Sequence, residues 1–219
     1  GTLGPIVTQY EKNTIEELGL LKMDFLALKN LDIIKQCLDY MGEELEYLDT
    51  MTYDDLETYA MLRRGEGIAV FQVESGPMRQ LMIRLAPTDI GDIAAILALY
   101  RPGPMAANMH NDYADRKNGR QAISYFHPDA KPILEKYQGL MYFQESVMQV
   151  AQKFAGYSAS EADNLRKIMG KKLPEKMKAE KEKFVNGCNA TGYSQIGESL
   201  FHLIEAFASY GFPAGHAFG

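Results

Sequence analysis

Four cations fall within seven residues of the stretch Tyr157 to Lys172, Y-S-A-S-E-A-D-N-L-R-K-I-M-G-K-K: Arg166, Lys167, Lys171 and Lys172. Guanidinium and ammonium groups gathered this closely suit an anion such as phosphate, which accepts several charge-assisted hydrogen bonds at once. Near the other end, Lys22 and Asp24 stand two residues apart within L-G-L-L-K-M-D-F-L, residues 18–26. Arg101 stands alone before Pro102-Gly103-Pro104, on a stiff turn. A carboxylate able to hold Mg²⁺ and cations able to neutralise a triphosphate are the parts of a phosphoryl-transfer site. A two-metal mechanism needs more than one carboxylate, and only Asp24 is so placed. On spacing alone the blander readings stay open: a solvated basic face for the cation run, and a simple Lys–Asp ion pair at a strand edge.

These residues need elements to hold them. Ser158 and Glu161 have the spacing of a capping box, which starts a helix at Ala159. Ala162, Leu165, Ile168 and Met169 make its inward stripe, Arg166 and Lys167 fall on the polar side, and Gly170 supplies a left-handed exit. Leu18 to Leu26 has the length of a strand, where alternation would put Lys22 and Asp24 on one side. Before it, residues 1–17 read as irregular. Leu28 to Met41 reads as a helix, with Leu31, Ile34, Leu38 and Met41 inward and Gly42 as its stop. Thr52 caps the next helix, which ends near Gly65. Ile68 to Val73 reads as a strand, and Ser75 to Pro77 opens another helix with Met78, Leu81, Met82 and Leu85 inward. Thr88 caps a helix to Tyr100, with Ile90, Ile93, Ala94 and Leu97 as its stripe. Pro102 disfavours helical backbone at Arg101.

Asn108 to Gln121 reads as a polar loop carrying His110, Tyr113, Arg116, Lys117 and Arg120. Interleaved bases and aromatics suit a nucleic-acid surface, and a solvated loop equally. Leu140 to Phe143 is a third short strand. A helix from Gln144 to Phe154, a long one from Pro174 and a last one capped by Ser194 complete the chain. The fold class is mainly α with a few short strands, α+β in character.

Composition narrows the function. The 219 residues, 46% hydrophobic and 24% charged, are ordinary for a globular protein. No apolar run approaches the roughly 20 residues of a membrane span. Cys37 and Cys188 have no metal or disulfide-framework spacing, so a cytoplasmic setting is expected. The net charge is −6, but residues 1–60 hold 13 acids and 4 bases, while residues 166–183 hold 8 bases and 3 acids. A basic stripe on an acidic chain points to a phosphate site rather than to generic nucleic-acid binding. The histidines (His110, His127, His202, His216) are scattered, so no Ser/His/Asp triad is supported. Zinc spacing, a Walker loop and a dinucleotide fingerprint are absent. The chain lacks an initiator Met and ends on H-A-F-G, as a fragment would.

Taken together the motifs resemble the alpha subunit of bacterial DNA polymerase III, the C-family replicative DNA polymerases. The carrying segments are G-L-L-K-M-D-F-L-A-L-K-N-L (19–31), F-Q-V-E-S-G-P-M-R (71–79), A-L-Y-R-P-G-P-M (98–105), D-R-K-N-G-R (115–120) and F-Q-E-S-V-M (143–148). They continue with A-G-Y-S-A-S-E-A-D-N-L-R-K-I-M-G-K-K (155–172) and Y-G-F-P-A-G-H-A (210–217). Together they run in the family's order over essentially the whole chain, and residues 106–120 are similar to actinobacterial or actinophage versions.

The resemblance implies that residues 1–30 end a palm domain and residues 31–219 form the fingers. It implies a DNA-directed DNA polymerase using two Mg²⁺ ions. Asp24 of the K-x-D-F-L motif would be the third catalytic carboxylate and a metal ligand. Lys22, Arg101, Arg166, Lys167 and Lys171 would bind the triphosphate of the incoming dNTP, and Phe71, Gln72 and Glu74 would line the fingers. Arg116, Lys117, Arg120, Lys172 and His216 would touch DNA. Implied partners are primer–template DNA, dNTPs, the rest of the polymerase or a split partner chain, and a sliding clamp and replisome reached through other regions. No membrane is implied.

The family's other two aspartates sit in a P-D-x-D-x-D-F segment that this sequence does not contain, so the chain alone is expected not to extend a primer. A non-catalytic nucleotide- or DNA-binding fingers module, or a decayed remnant, is the alternative. Departures from the family pattern include Lys167 for a second Arg, Phe143 for Tyr and Ser146 for Gln. The segment F-P-A-G-H-A (212–217) stands where F-N-K-S-H-A is usual, losing a Lys and a Ser that could contact DNA.

Overall fold

The computed structural model describes residues 4, 6–21, 23, 25, 27–171, 174–208 and 211–218. The chain divides into two compact units, Gly1–Met51 and Thr52–Gly219. In the first, α1 (Lys12–Glu17) is a helix where sequence predicts irregular chain, and α2 (Lys29–Met41) is followed by a 3₁₀ turn over Leu45–Thr50. Gly42 caps α2 at φ 75°, its N–H reaching Leu38 and Asp39 carbonyls, which is the left-handed stop that glycine adopts without penalty. Of the four α2 residues predicted inward, only Leu38 is buried; Leu31, Ile34 and Met41 are exposed. So short a unit has too few elements to cover the whole apolar face. The predicted strand over residues 18–26 is not present among the described residues, which carry a turn at Leu18–Gly19. Lys22 and Asp24 lie outside the described residues.

The second unit is helical: α3 (Leu56–Arg63), α4 (Gly76–Leu85), α5 (Ile90–Leu99), α6 (Pro102–Ala106), α7 (Met109–Lys117) and α8 (Lys131–Leu134), then α9 (Gln144–Ala155), α10 (Ala159–Lys171), α11 (Pro174–Ala190), α12 (Gly197–Ala208) and α13 (Ala214–Phe218). Met78, Leu81, Met82 and Leu85 on α4 are buried as their spacing predicts. Two N-caps move one step or more toward the helix. Asp55, not Thr52, caps α3 by accepting from Thr58 N, and Asp89, not Thr88, caps α5 by accepting from Asp92 N. An aspartate placed where its oxygen reaches the N3 amide outcompetes a threonine further out. Similarly, α12 begins at Gly197, after turns at 194–196, rather than just after Ser194. The α5 stripe is also wider than predicted, with Ala95, Ile96, Ala98 and Leu99 fully buried while Ile90 is exposed.

The predicted strands give way to local structure. Ile68 to Val73 is a pair of turns with Ala69 and Gln72 in the left-handed region at φ 64° each. Its β-branched residues find no partner strand, and only Val73 is deeply buried. The predicted loop at 108–121 contains helix α7, because Met109, Tyr113 and Ala114 share a face that buries completely. At Leu140–Phe143 the strand reduces to one isolated parallel bridge between Phe143 and Phe212.

Two apolar clusters fill this unit. One joins α3, α4, α5 and α7, and the other joins α8 to α12. Tyr137 and Phe207 pack against both clusters. The chain crosses between them at α9, for Phe143 belongs to the first cluster and Val147 to the second. At that crossing Gln144 N donates to Phe212 O and Phe212 N donates to Tyr142 O.

Candidate functional site

The basic helix α10 starts as its sequence dictates. Glu161 N donates to Ser158 Oγ at 3.3 Å, and Ser158 N donates to Glu161 Oε2 at 2.9 Å, a reciprocal capping box. The bond from Ser158 N, the ammonium of Lys183 3.0 Å away and a bond from Ser158 Oγ at 2.8 Å hold the Glu161 carboxyl down at about 2. Ala162, Leu165 and Met169 are buried on the inner face, against α9 and the core of the second cluster. The helix continues through Gly170 to Lys171, one residue past the predicted exit. The side chain of Lys171, and all of Lys172, lie outside what is described.

On the outer face, Arg166 and Lys167 share one carboxylate. Arg166 directs Nε and Nη2 to Asp163 Oδ1 at 3.0 and 2.7 Å, and Lys167 Nζ stands 2.6 Å from Asp163 Oδ2. Lys167 and Arg166 thereby hold the Asp163 carboxyl below its usual range. These are i, i+3 and i, i+4 pairs, the spacings at which helix side chains meet. The third guanidinium nitrogen, Nη1, reaches Gln144 Oε1 at 3.3 Å.

Gln144 opens α9 and ties α10 to the bridge. Its backbone N–H donates to Phe212 O at 2.9 Å, Phe212 N donates to Tyr142 O at 2.9 Å, and Gln144 Nε2 donates to Gly211 O at 3.1 Å. Beside it, Glu145 Oε2 accepts from Ala214 N at 3.0 Å. The Phe212 ring carries Arg101, whose guanidinium carbon lies 4.6 Å from the ring centroid, a cation–π contact. Arg101 Nε also donates to Ala98 O at 3.2 Å, and its backbone is extended (φ −144°, ψ 156°) as the following proline demands. Partial burial pulls its pKa downward, although a guanidinium stays charged at working pH. The exposed His216 packs edge-on to the same ring at 5.2 Å.

Four predicted residues, Arg101, Arg166, Lys167 and His216, are thus joined through Gln144 and Phe212 into one run of contacts. Sequence reasoning missed Asp163, Gln144 and Phe212 as members. Asp163 was legible from helical spacing to Arg166 and Lys167. The tie between Gln144 and the 211–212 segment joins residues 67 apart in sequence and carried no local signal.

Arg116, Lys117 and Arg120 do not join this run. Arg116 Nη1 donates to Gln138 O at 2.9 Å, and Lys117 Nζ donates to Ala86 O at 2.9 Å while pairing with buried Asp92 at 3.3 Å. Arg120 pairs with Asp115, which also takes Arg84, and its side chain is about half exposed. Of the further fingers residues, Phe71 and Glu74 are exposed, and Glu74 Oε2 accepts from Ala69 N at 3.3 Å. Among the described residues no group of three or more His, Cys, Asp or Glu could hold a metal ion, and no helix is long and apolar enough to cross a membrane.

Comparison with known proteins gives the family. The finger domain of the bacterial DNA polymerase III alpha subunit matches residues 30–192. DNA polymerase III subunit alpha of Mycobacterium leprae is 47% identical over 99% of this chain and 19% of its own length. The Mycobacterium tuberculosis protein of the same name is 46% identical over the same shares, and that of Pseudomonas aeruginosa is 41% identical over 98% and 19%. The chain therefore spans about a fifth of the length of these curated relatives. A family match over residues 30–192, most of the chain, places this protein in the bacterial DNA polymerase III alpha subunit finger-domain family.

Proposed function

We propose that the chain is the fingers part of a DNA-directed DNA polymerase and that Arg101, Arg166 and Lys167 receive the triphosphate of an incoming dNTP. The observation that supports this reading is a chain of contacts: Arg166 reaches Gln144, whose backbone N–H donates to Phe212 O, and the Phe212 ring carries Arg101, while Lys167 shares Asp163 with Arg166. Arg166 offers a planar fork for bidentate phosphate binding, and Lys167 adds a compact charge beside it. Lys22 and Lys171 complete the set on family grounds.

Asp24 enters as a metal ligand and third catalytic carboxylate, together with two aspartates from a P-D-x-D-x-D-F segment that this sequence lacks. The described residues build no Mg²⁺ site of their own. The two Mg²⁺ ions held by such a set would neutralise the charge that develops on the transferring phosphoryl group. The residues of this chain bind and orient the phosphates. Arg120, His216 and Lys172 are the readiest candidates for the DNA backbone, since Arg116 and Lys117 direct their bonds into the protein. A reducing cytoplasmic setting accompanies this role.

The test is dNTP binding to the wild-type chain and to Arg166→Ala by isothermal titration calorimetry. Loss of a charge-assisted contact of roughly 1.5–3 kcal/mol weakens binding by about 10- to 150-fold. Equal affinity of the two proteins would remove Arg166 from the nucleotide site and refute the reading.

A further inference from the structure

Asp163 stands where nothing in the family resemblance assigns a role, yet it holds both cations of the proposed phosphate site. Arg166 presents two N–H groups side by side along its Nε–Nη2 edge, the arrangement that a phosphate uses for bidentate binding. Both already end on Asp163 Oδ1, at 3.0 and 2.7 Å. The other oxygen of the same carboxylate takes Lys167 Nζ at 2.6 Å. The Nη1 end is engaged by Gln144 Oε1. The side chains of Arg166, Lys167 and Asp163 are 27%, 59% and 34% exposed, so an anion from solvent can reach them.

We propose that Asp163 is an internal stand-in for the triphosphate: its carboxylate occupies the anion position between Arg166 and Lys167, keeps the two cations aligned when no nucleotide is bound, and must be displaced when phosphate arrives. This inference rests on the reading of Arg166 and Lys167 as phosphate ligands. It makes Asp163 a residue that sets affinity rather than one that touches the reacting atoms. Two cations held by a carboxylate on the same helix stay oriented, because the i, i+3 and i, i+4 spacings cost no backbone movement. The Asp163 and Arg166 side chains are about a third open to water and Lys167 more so, and exchange of one anion for another is inexpensive. A multiply charged phosphate chain offers more acceptor oxygens than one carboxylate and wins the exchange, but with an affinity lowered by the competition. The expected direction is therefore opposite to that of an ordinary ligand residue: removing the Asp163 charge tightens anion binding.

The experiment titrates inorganic tripolyphosphate into the full chain at low ionic strength, comparing wild type, Asp163→Asn and Arg166→Ala. Asparagine keeps the size and one acceptor oxygen while removing the competing charge. Its partly exposed position puts little of the fold at risk, and far-UV circular dichroism checks this. Tighter binding by Asp163→Asn, about five- to tenfold and shrinking as salt screens the charges, supports the proposal. Equal or weaker binding by Asp163→Asn, with loss in Arg166→Ala, overturns it and leaves the phosphate-ligand reading intact. No binding by wild type or Asp163→Asn overturns both. Binding that is the same in all three proteins also overturns both, because the anion then sits elsewhere.

Discussion

Asp92 is the residue whose loss should hurt the fold most among the described charged groups. Its side chain is 3% exposed at the third position of α5 and serves four donors. Thr88 N and Thr88 Oγ1 donate to Oδ2 at 2.8 and 3.0 Å, Tyr113 OH donates to Oδ1 at 3.1 Å, and Lys117 Nζ stands 3.3 Å from Oδ2. These bonds tie the start of α5 to α7 and hold Tyr113, whose ring meets Tyr142 edge-on at 5.8 Å. Three hydrogen bonds accepted by a carboxylate contribute about 1.5–3 kcal/mol each. Asp92→Ala also strands the ammonium of Lys117, 13% exposed, leaving it Ala86 O among the described residues. Breaking a buried pair from one side costs about 3–5 kcal/mol, a large share of the roughly 5–15 kcal/mol that holds a domain folded.

Urea unfolding followed by far-UV circular dichroism measures this cost. A double-mutant cycle with Lys117→Met isolates the ion pair. Once Lys117 is gone, removing Asp92 no longer leaves a buried charge behind, so the double variant should be destabilised by at least ~1 kcal/mol less than the sum of the singles. Additive costs, or an Asp92→Ala cost below about 1 kcal/mol, would refute the view that this network holds α5 against α7.

Further predictions concern the elements around the candidate site. Because Ser158 and Lys183 depress the Glu161 carboxyl to about 2 from an ordinary 4.5, its contribution to stability is complete above pH 4.5 and is lost as pH falls toward 2. Glu161→Gln should flatten that part of the stability profile measured by thermal unfolding, and an unchanged slope would show that the capping box does not carry it. Gly187→Ala would drive a Cβ into Ala155 O and to 3.1 Å from the adjoining backbone carbon, where no flexible side chain can give way. It should destabilise by about 1–3 kcal/mol through forced separation of α9 and α11, and a neutral change in the urea midpoint would contradict that close packing.

Local rules made much of this chain readable. The capping box of α10, its buried stripe, the glycine stop of α2 and the inward residues of α4 each depend on residues within about one or two helical turns, so spacing alone states them. The motif order carried the family for the same reason, since it is a property of the chain and not of its packing. Local rules failed where the deciding partner was distant. Ile68 to Val73 and Leu140 to Phe143 have strand composition, but a strand exists only if another pairs with it, and here the second meets Phe212 at a single bridge. The polar segment 108–121 hid a helix because its short apolar face shows only once Met109, Tyr113 and Ala114 have a core to enter.

The candidate site divides in the same way. Cation number, their placement on one helix and the Asp163 spacing follow from the sequence, because helix geometry is local. That Arg101 lies over Phe212, and that Gln144 links this ring's segment to Arg166, required the crossing between two apolar clusters. Burial and long-range backbone pairing, rather than any residue's own propensity, brought those side chains together.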